Sequence, residues 1–357
     1  MAGTDGTARA EHLDLMKGVG ILLVVWGHTM EPRSAYIYSF HMPLFFFVSG
    51  CLYRERPAGE FFPGKVRRLY LPYALFTVLS WLFYLAVLAL EGKNEQFARQ
   101  VPRILSLVTG TARNGGNDSI WFLPCLLVMN CLFWAVRRLP HPALRAAAIV
   151  ACSVLGYGLG RLRFQLPFKA DVALANMVFF AAGHLAGVWG LAGRAHGLRA
   201  WKTAAAALAA EGVHLAALAA NLELAGIRKV SVTSNVLGDY FLYHLAALAA
   251  IATIGLLAVR VWGLVGLKHL GANSLIVLGT HKPLLYLVRK AAGPLTDGGS
   301  LPYQLSATAI VVLTVLPLVG PLNRHLPWVL GRGPRRPGQG GGREQMSGAG
   351  HSAGPQL

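Results

Sequence analysis

Residues 14–53 read DLMKGVGILLVVWGHTM, then EPRSAYIYS, then FHMPLFFFVSGCLY. Two apolar segments stand back to back across a short polar link. Each carries a histidine, His28 and His41, and Lys17 stands at the entrance of the first. A histidine in a hydrocarbon-facing run is costly unless it lines a cavity or has a partner, so both are candidate functional residues. Lys17 and His28 are eleven positions apart. At 100° per residue that is about 20° from a whole number of turns, so both project from one helix face, with His28 about 16 Å further along the axis. Asp14 falls near the same stripe. Spacing alone leaves a plainer reading open: an interfacial lysine, and a histidine bonded to a neighbouring helix. His41, flanked by Tyr36, Tyr38 and Phe40, reads equally as a boundary residue or a catalytic one. Pro43 behind it is expected to loosen the helix and open a polar niche.

Outward from this stretch, the chain of 357 residues is 54% hydrophobic and only 13% charged, with a mean hydropathy of +0.48. Soluble domains carry about 25% charged residues, so the deficit places the protein among polytopic helical membrane proteins. The fold class expected is all-α, a membrane bundle of about ten transmembrane helices. The spans are read at 13–30, 36–53, 69–90, 119–136, 144–160, 172–191, 202–220, 236–259, 271–289 and 303–321. Residues 1–11 form a short N-terminal segment, 12–322 the embedded domain, and 323–357 a basic Gly/Pro-rich tail too polar to bury a core and expected to be disordered. The first residues lack a signal-peptide pattern, so the first apolar segment is expected to stay as a membrane helix.

The net charge of +18 does not imply nucleic acid. The basic residues fall in short clusters between apolar runs, as topology requires, and the positive-inside rule then puts both termini in the cytoplasm. Cys51, Cys125, Cys131 and Cys152 lie in or beside apolar runs without metal-ligand spacing, and read as packing residues. No fixed-period repeat is visible, which argues against transporters built from inverted repeats.

Two connections stand out. Residues 54–68 are basic and end in Lys65, Arg67 and Arg68, a cluster suited to a polyanion if the first and third helices pack together, or to anionic lipid. Residues 91–118 form the longest connection on the other side, with a short amphipathic helix expected over Glu95 to Val108 and a loop and cap at Asn114–Asp118 before Trp121. Further on, His184, His244 and His281 fall within spans, His281 being the best placed.

Together these residues resemble the acyltransferase-3 family of integral-membrane acyltransferases, most nearly its branch of fucose 4-O-acetylase and related acetyltransferases. The signature is a basic residue, ten positions, then histidine, matched by Lys17 and His28. FHMPLFFFVSG at 40–50, KVRRLYLPY at 65–73, WFL at 121–123 and the block from Asn273 to His281 match as well. The resemblance is strong over 12–136, weaker but collinear to 321, and absent from the tail. Lys17 departs from the arginine that many members have, which keeps charge but loses bidentate phosphate geometry.

The resemblance implies transfer of an acyl group, usually acetyl, from cytoplasmic acetyl-CoA to a hydroxyl of a sugar, glycan or glycoside, with no metal. The residues fit this chemistry: coenzyme A phosphates at Lys17, Lys65, Arg67 and Arg68, His28 as general base, and His41 or a group near Asp118 and Trp121 to orient the acceptor or polarise the carbonyl. A transient acyl-histidine is a less favoured variant. Asp118, Trp121 and His281 are candidates for substrate contact. The implied partners are acyl-CoA, the acceptor and the lipid bilayer, with self-association left open and no nucleic acid. The Ala-, Gly- and Arg-rich composition hints at a GC-rich genome, and the expected location is the bacterial cytoplasmic membrane. The rival readings are a transporter or flippase of a sugar or small amphiphile with the histidines as a proton relay, and a membrane scaffold or sensor in which they are structural.

Overall fold

The computed structural model describes residues 2–29, 34–110, 117–261, 264–292, 300–328 and 330, with side chains from residue 11 onward. Of the tail expected to be disordered, residues 323–325 are still helical, while residues from 331 on, and the first part of the Asn114–Asp118 loop, lie outside the described residues. Among those described, the chain is helical throughout, with one isolated bridge between Ser231 and Val236 and no strand.

The principal helices are α1 (Ala2–Gly27), α2 (His41–Cys51), α3 (Ala58–Leu90), α4 (Asp118–Arg137), α5 (Pro142–Arg161), α6 (Ala170–Ala175), α7 (Met177–Val188), α8 (Ala200–Ala225), α9 (Tyr240–Arg260), α10 (Val265–Ala272), α11 (Ser274–Ala292) and α12 (Leu301–His325). All ten expected segments fall on helices. Six helices (α3, α4, α5, α8, α9 and α12) are long and apolar enough to cross a membrane, and α6 with α7, bent by 64°, makes a seventh if the pair is one span. The remaining three segments are α1, with Glu11, Asp14 and Lys17; α11, with Lys282, Arg289 and Lys290; and the short stretch around α2. The expected surface helix is present as Asn94–Gln100, a 3-10 turn at Val101–Arg103, and Ile104–Val108.

Local sequence explains the breaks. Asn117 accepts a hydrogen bond from the backbone N–H of Ser119 at 3.2 Å and so caps the 3-10 turn that opens α4, and Asp239 caps α9 by accepting from the Leu242 N–H at 2.9 Å. Such caps satisfy amides that have no partner within the helix. The α6–α7 bend falls at Asn176, whose side chain donates to the Val172 carbonyl at 2.9 Å and accepts from Tyr243 at 2.6 Å. Pro43 sits in the first turn of α2. No intrahelical N–H bond is lost there, so it starts the helix instead of loosening it as the sequence suggested.

The chain organises around α1, which packs on α2, α9, α10, α11 and α12. Its inner face, with Ile21, Val24 and Val25, joins Leu44, Phe46 and Val48 of α2 in the core. The α2–α7 contact is close enough that a Cβ on Gly50 would lie 2.0 Å from the Phe180 carbonyl oxygen, and one on Gly183 1.9 Å from that of Phe47. Small residues allow this backbone approach where apolar solvent gives no hydrophobic drive.

Ion pairs identify the two ends of the bundle. At one end Glu55 meets Arg137 at 3.3 Å and Glu11 meets Lys268 at 2.7 Å. At the other, Glu91 after α3 holds Lys93 at 2.8 Å and also pairs with Lys290 and Tyr286 of α11. His28, just past α1, lies at this second end, where Arg289 of α11 donates to its carbonyl.

Candidate active site

Three separate elements bring side chains together at the end of α1. His28 lies just past the last residue of α1, still in its final turn, with its N–H directed at the Val24 and Val25 carbonyls. The 3-10 turn of α4 supplies Ser119, and the middle of α11 supplies His281. The His28 and His281 rings stack with centroids 5.3 Å apart and planes 27° from parallel. Ser119 Oγ is 3.0 Å from Nε2 of His28 and 3.4 Å from Nε2 of His281.

The backbone fixes one of these rings. Nδ1 of His281 faces the carbonyl oxygens of Val277 at 3.0 Å and Leu278 at 3.1 Å. Carbonyls only accept, so Nδ1 carries the hydrogen and Nε2 presents its lone pair to Ser119. His28 has no such constraint: Nδ1 lies 3.3 Å from the Tyr38 hydroxyl, which can donate or accept. The hydroxyl of Ser119 has one proton and two imidazoles to serve. A group between two basic nitrogens in a buried site can therefore move with the protonation of either.

The turn that carries Ser119 is held in register with α11. Asn117 donates to the Gly279 carbonyl at 2.9 Å and the Leu278 carbonyl at 3.3 Å, and Asp118 pairs with Lys282 at 3.0 Å. Arg289, two turns further along α11, donates to the His28 carbonyl. His281 and Asn117 are buried, and Ser119 nearly so. His41 is buried too, its Nδ1 2.8 Å from the Ile37 carbonyl. It reaches the site through Tyr38, whose ring is 5.1 Å from that of His41 and 6.2 Å from that of His28. Lys229 lies over the Tyr38 ring, 4.5 Å from its centroid.

The sequence candidates thus divide. His28 and His281 converge, Asp118 lies in the adjoining turn paired with Lys282, and His41 stands one aromatic ring behind. Lys17 pairs with Asp14 at 2.6 Å, well back along α1. Arg67 and Arg68 are exposed in a π-helical turn, Val66–Tyr70, that interrupts α3 and packs on α4, while α1 packs chiefly on other helices. Lys65 lies over Phe61 and Tyr53, 5.5 and 5.9 Å from their centroids. The packing of the first and third helices that would have joined Lys17 to Arg68 is not among the principal contacts. Ser119, Tyr38 and Asn117 were not singled out. The signal of Asn117 and Ser119 was a polar run, Asn117-Asp118-Ser119, directly before an apolar helix, which reads as a cap and nothing more.

Beside this group is a cavity of about 320 Å³, lined in part by Asp118, Ile120 and Trp121. Ser119, His28 and His281 are not among its lining residues. Residues three apart eclipse in a 3-10 turn, so Asp118 and Trp121 share a face that Ser119 does not. One turn therefore separates the cavity from the histidine pair. Among the described residues no group of three or more His, Cys, Asp or Glu is placed to hold a metal ion.

The family model described as an acyltransferase domain matches residues 11–322 of this chain. Neither a curated protein nor a solved structure gives a match.

Proposed function

This chain belongs to the acyltransferase-3 family, and from that premise we propose that it moves an acyl group, in the first instance acetyl, from cytoplasmic acyl-CoA to a hydroxyl of a sugar, glycan or glycoside. A multi-pass membrane acyltransferase agrees with its six long apolar helices. The finer reading is about ten crossings with both termini in the cytoplasm, in the cytoplasmic membrane of a bacterium, and a relationship to the fucose 4-O-acetylase branch.

One observation carries the mechanism: His28, at the end of the lysine-to-histidine stripe, has its ring held by Tyr38 on one nitrogen and Ser119 on the other, against the ring of His281. In the reaction His28 takes the proton of the acceptor hydroxyl as that oxygen attacks the thioester carbonyl. The C–S bond then breaks, and the thiolate of coenzyme A recovers the proton from His28. The acyl group is now an ester of the acceptor, and the histidine is neutral again. Ser119 positions the ring, and its second contact, to a lone pair on His281, lets it follow the proton without leaving the site. His41 supports Tyr38 from behind. Lys17, and separately the Lys65, Arg67 and Arg68 cluster, are the cations assigned to the phosphates of coenzyme A.

The test uses purified protein, radiolabelled acetyl-CoA and native membranes as the acceptor pool. His28→Ala is expected to lower label transfer by about 10²–10⁴-fold, the usual contribution of a positioned base, while the protein still inserts and stays monodisperse. A folded His28→Ala protein with native transfer would remove His28 from the chemistry.

A further inference from the structure

We propose that the cavity beside the 3-10 turn is the acceptor-recognition site, and that it holds one hydroxyl-rich ring next to the unit that is acylated. This rests on the acyl-transfer reading above and names the part of the acceptor that is recognised.

The cavity lies where loops from the end at which α1 finishes meet Tyr73 of α3 and the first turns of α4. Tyr73, Trp121 and Phe168 give it aromatic faces, and Gln165, Thr233 and Ser234 give it an amide and two hydroxyls. That mixture suits a ring with apolar C–H faces and hydroxyl edges. Charge does not dominate: Asp118 is paired with Lys282 at 3.0 Å, and Lys169 donates to Gln165 at 3.2 Å. At about 320 Å³ the cavity is at the small end of the ~300–1,000 Å³ range of ligand sites. It has room for a single ring and not for a chain of them.

The walls are held in a costly backbone. Among the described residues, four non-glycine positions have positive φ: Arg163, Phe168, Lys169 and Asn235. All four belong to the two loops that line or adjoin the cavity. Such conformations persist only where the surroundings over-determine them, and they concentrate at ligand clamps. Here the surroundings are specific. Asp171, fully buried, accepts from the Leu166 N–H at 3.1 Å with one oxygen and from the Asn235 amide at 3.4 Å with the other, which ties the two loops together. Asn235 also donates to the Gly156 carbonyl at 2.8 Å, and the Phe168 N–H donates to the Gly110 carbonyl at 3.3 Å.

Separation of the cavity from the chemistry sets the acceptor's length. His28, Ser119 and His281 lie on the other side of the turn whose Asp118 and Trp121 face the cavity. A ring seated in the cavity lies across that turn from His28, so the reacting hydroxyl is assigned to the neighbouring unit. Binding energy gained on a remote unit is well used in positioning the reacting one.

The experiment again uses labelled acetyl-CoA with native membranes. Thr233→Trp fills the cavity and is expected to lower transfer at least tenfold with affinity for coenzyme A unchanged. Gln165→Ala, at an exposed position that does not endanger folding, is expected to raise the apparent KM for the acceptor several-fold. Val236→Trp, on the same loop but outside the lining, is expected to transfer as the wild type does. Tandem mass spectrometry of the labelled product is expected to find the acetyl group on a unit linked to at least one further ring. Native transfer by both Thr233→Trp and Gln165→Ala, or an acetylated free monosaccharide as the main product, overturns the cavity assignment alone. Wild-type protein that transfers no label overturns the acyl-transfer reading, and this one with it.

Discussion

Ser119 is the residue whose removal separates the roles within the site. Its hydroxyl contacts Nε2 of both His28 and His281, while His281 is held independently by backbone carbonyls. Ser119→Ala should therefore leave His281 in place and free the His28 ring to turn about its remaining contact with Tyr38. A net hydrogen bond is worth about 0.5–1.5 kcal/mol, so kcat is expected to fall roughly 2- to 13-fold with KM for acetyl-CoA little changed. Ser119→Thr, which keeps the hydroxyl, should recover most of it. Steady-state kinetics on the two variants checks this, and equal loss in both would make the serine a packing residue. Both histidines were legible in the sequence because imidazoles are conspicuous in oily runs. Ser119 and Tyr38 were not. A serine before an apolar helix is ordinarily a cap, and a tyrosine near a membrane boundary is ordinarily part of the aromatic belt. Only three-dimensional proximity distinguishes them.

At the scale of elements, α2 and α7 meet through Gly50 and Gly183, whose missing side chains leave room for the opposing carbonyls. Gly50→Val forces those helices apart, and is expected to prevent assembly of a monodisperse protein in size-exclusion chromatography. The tie between α3 and α11 depends on charge. Hydrogen bonds from Lys290, then Lys93 and Tyr286, hold the Glu91 carboxyl down to about 2, against an ordinary 4.5. A carboxylate with a lowered value adds stability above its unfolded value and loses it as pH falls through the folded one. The difference in thermal midpoint between wild type and Glu91→Gln is thus expected to be small and constant above about pH 4.5, and to close between that pH and about 2. Glu91 is only partly buried and the effect is screened by salt, so thermal scans across pH at low ionic strength are the appropriate measurement; a gap that widens on acidification would contradict the assignment. Helix positions were legible because apolar length is a strong signal. The 64° bend within the sixth segment and the π turn that carries Arg67 and Arg68 were not, since neither changes composition.

For the whole molecule, alternation of the helices could be read from the chain, but not which helices become neighbours. Hydrocarbon solvent imposes no apolar periodicity that names a partner, so nothing in the sequence announced that α11 returns beside α1 to bring His281 onto His28. Absolute orientation rests on charge alone, and the margin is moderate: Arg228, Lys229, Arg289 and Lys290 sit toward the His28 end, against the larger basic clusters at 54–68, 137–145 and 194–202. The proposed function requires one outcome. If coenzyme A binds from the cytoplasm at the Lys17 end, then the loops that form the cavity face outward and an external acceptor enters without crossing the bilayer. Arg228→Cys, in the loop between α8 and α9, is then expected to react with a membrane-impermeant maleimide in intact cells. Gly197→Cys, at the opposite end between α7 and α8, should react only after permeabilisation, with wild-type protein as the background for its four native cysteines. The reverse pattern would put the cavity and the donor in the same compartment, and the acceptor would then have to be an intracellular glycoside acylated before export.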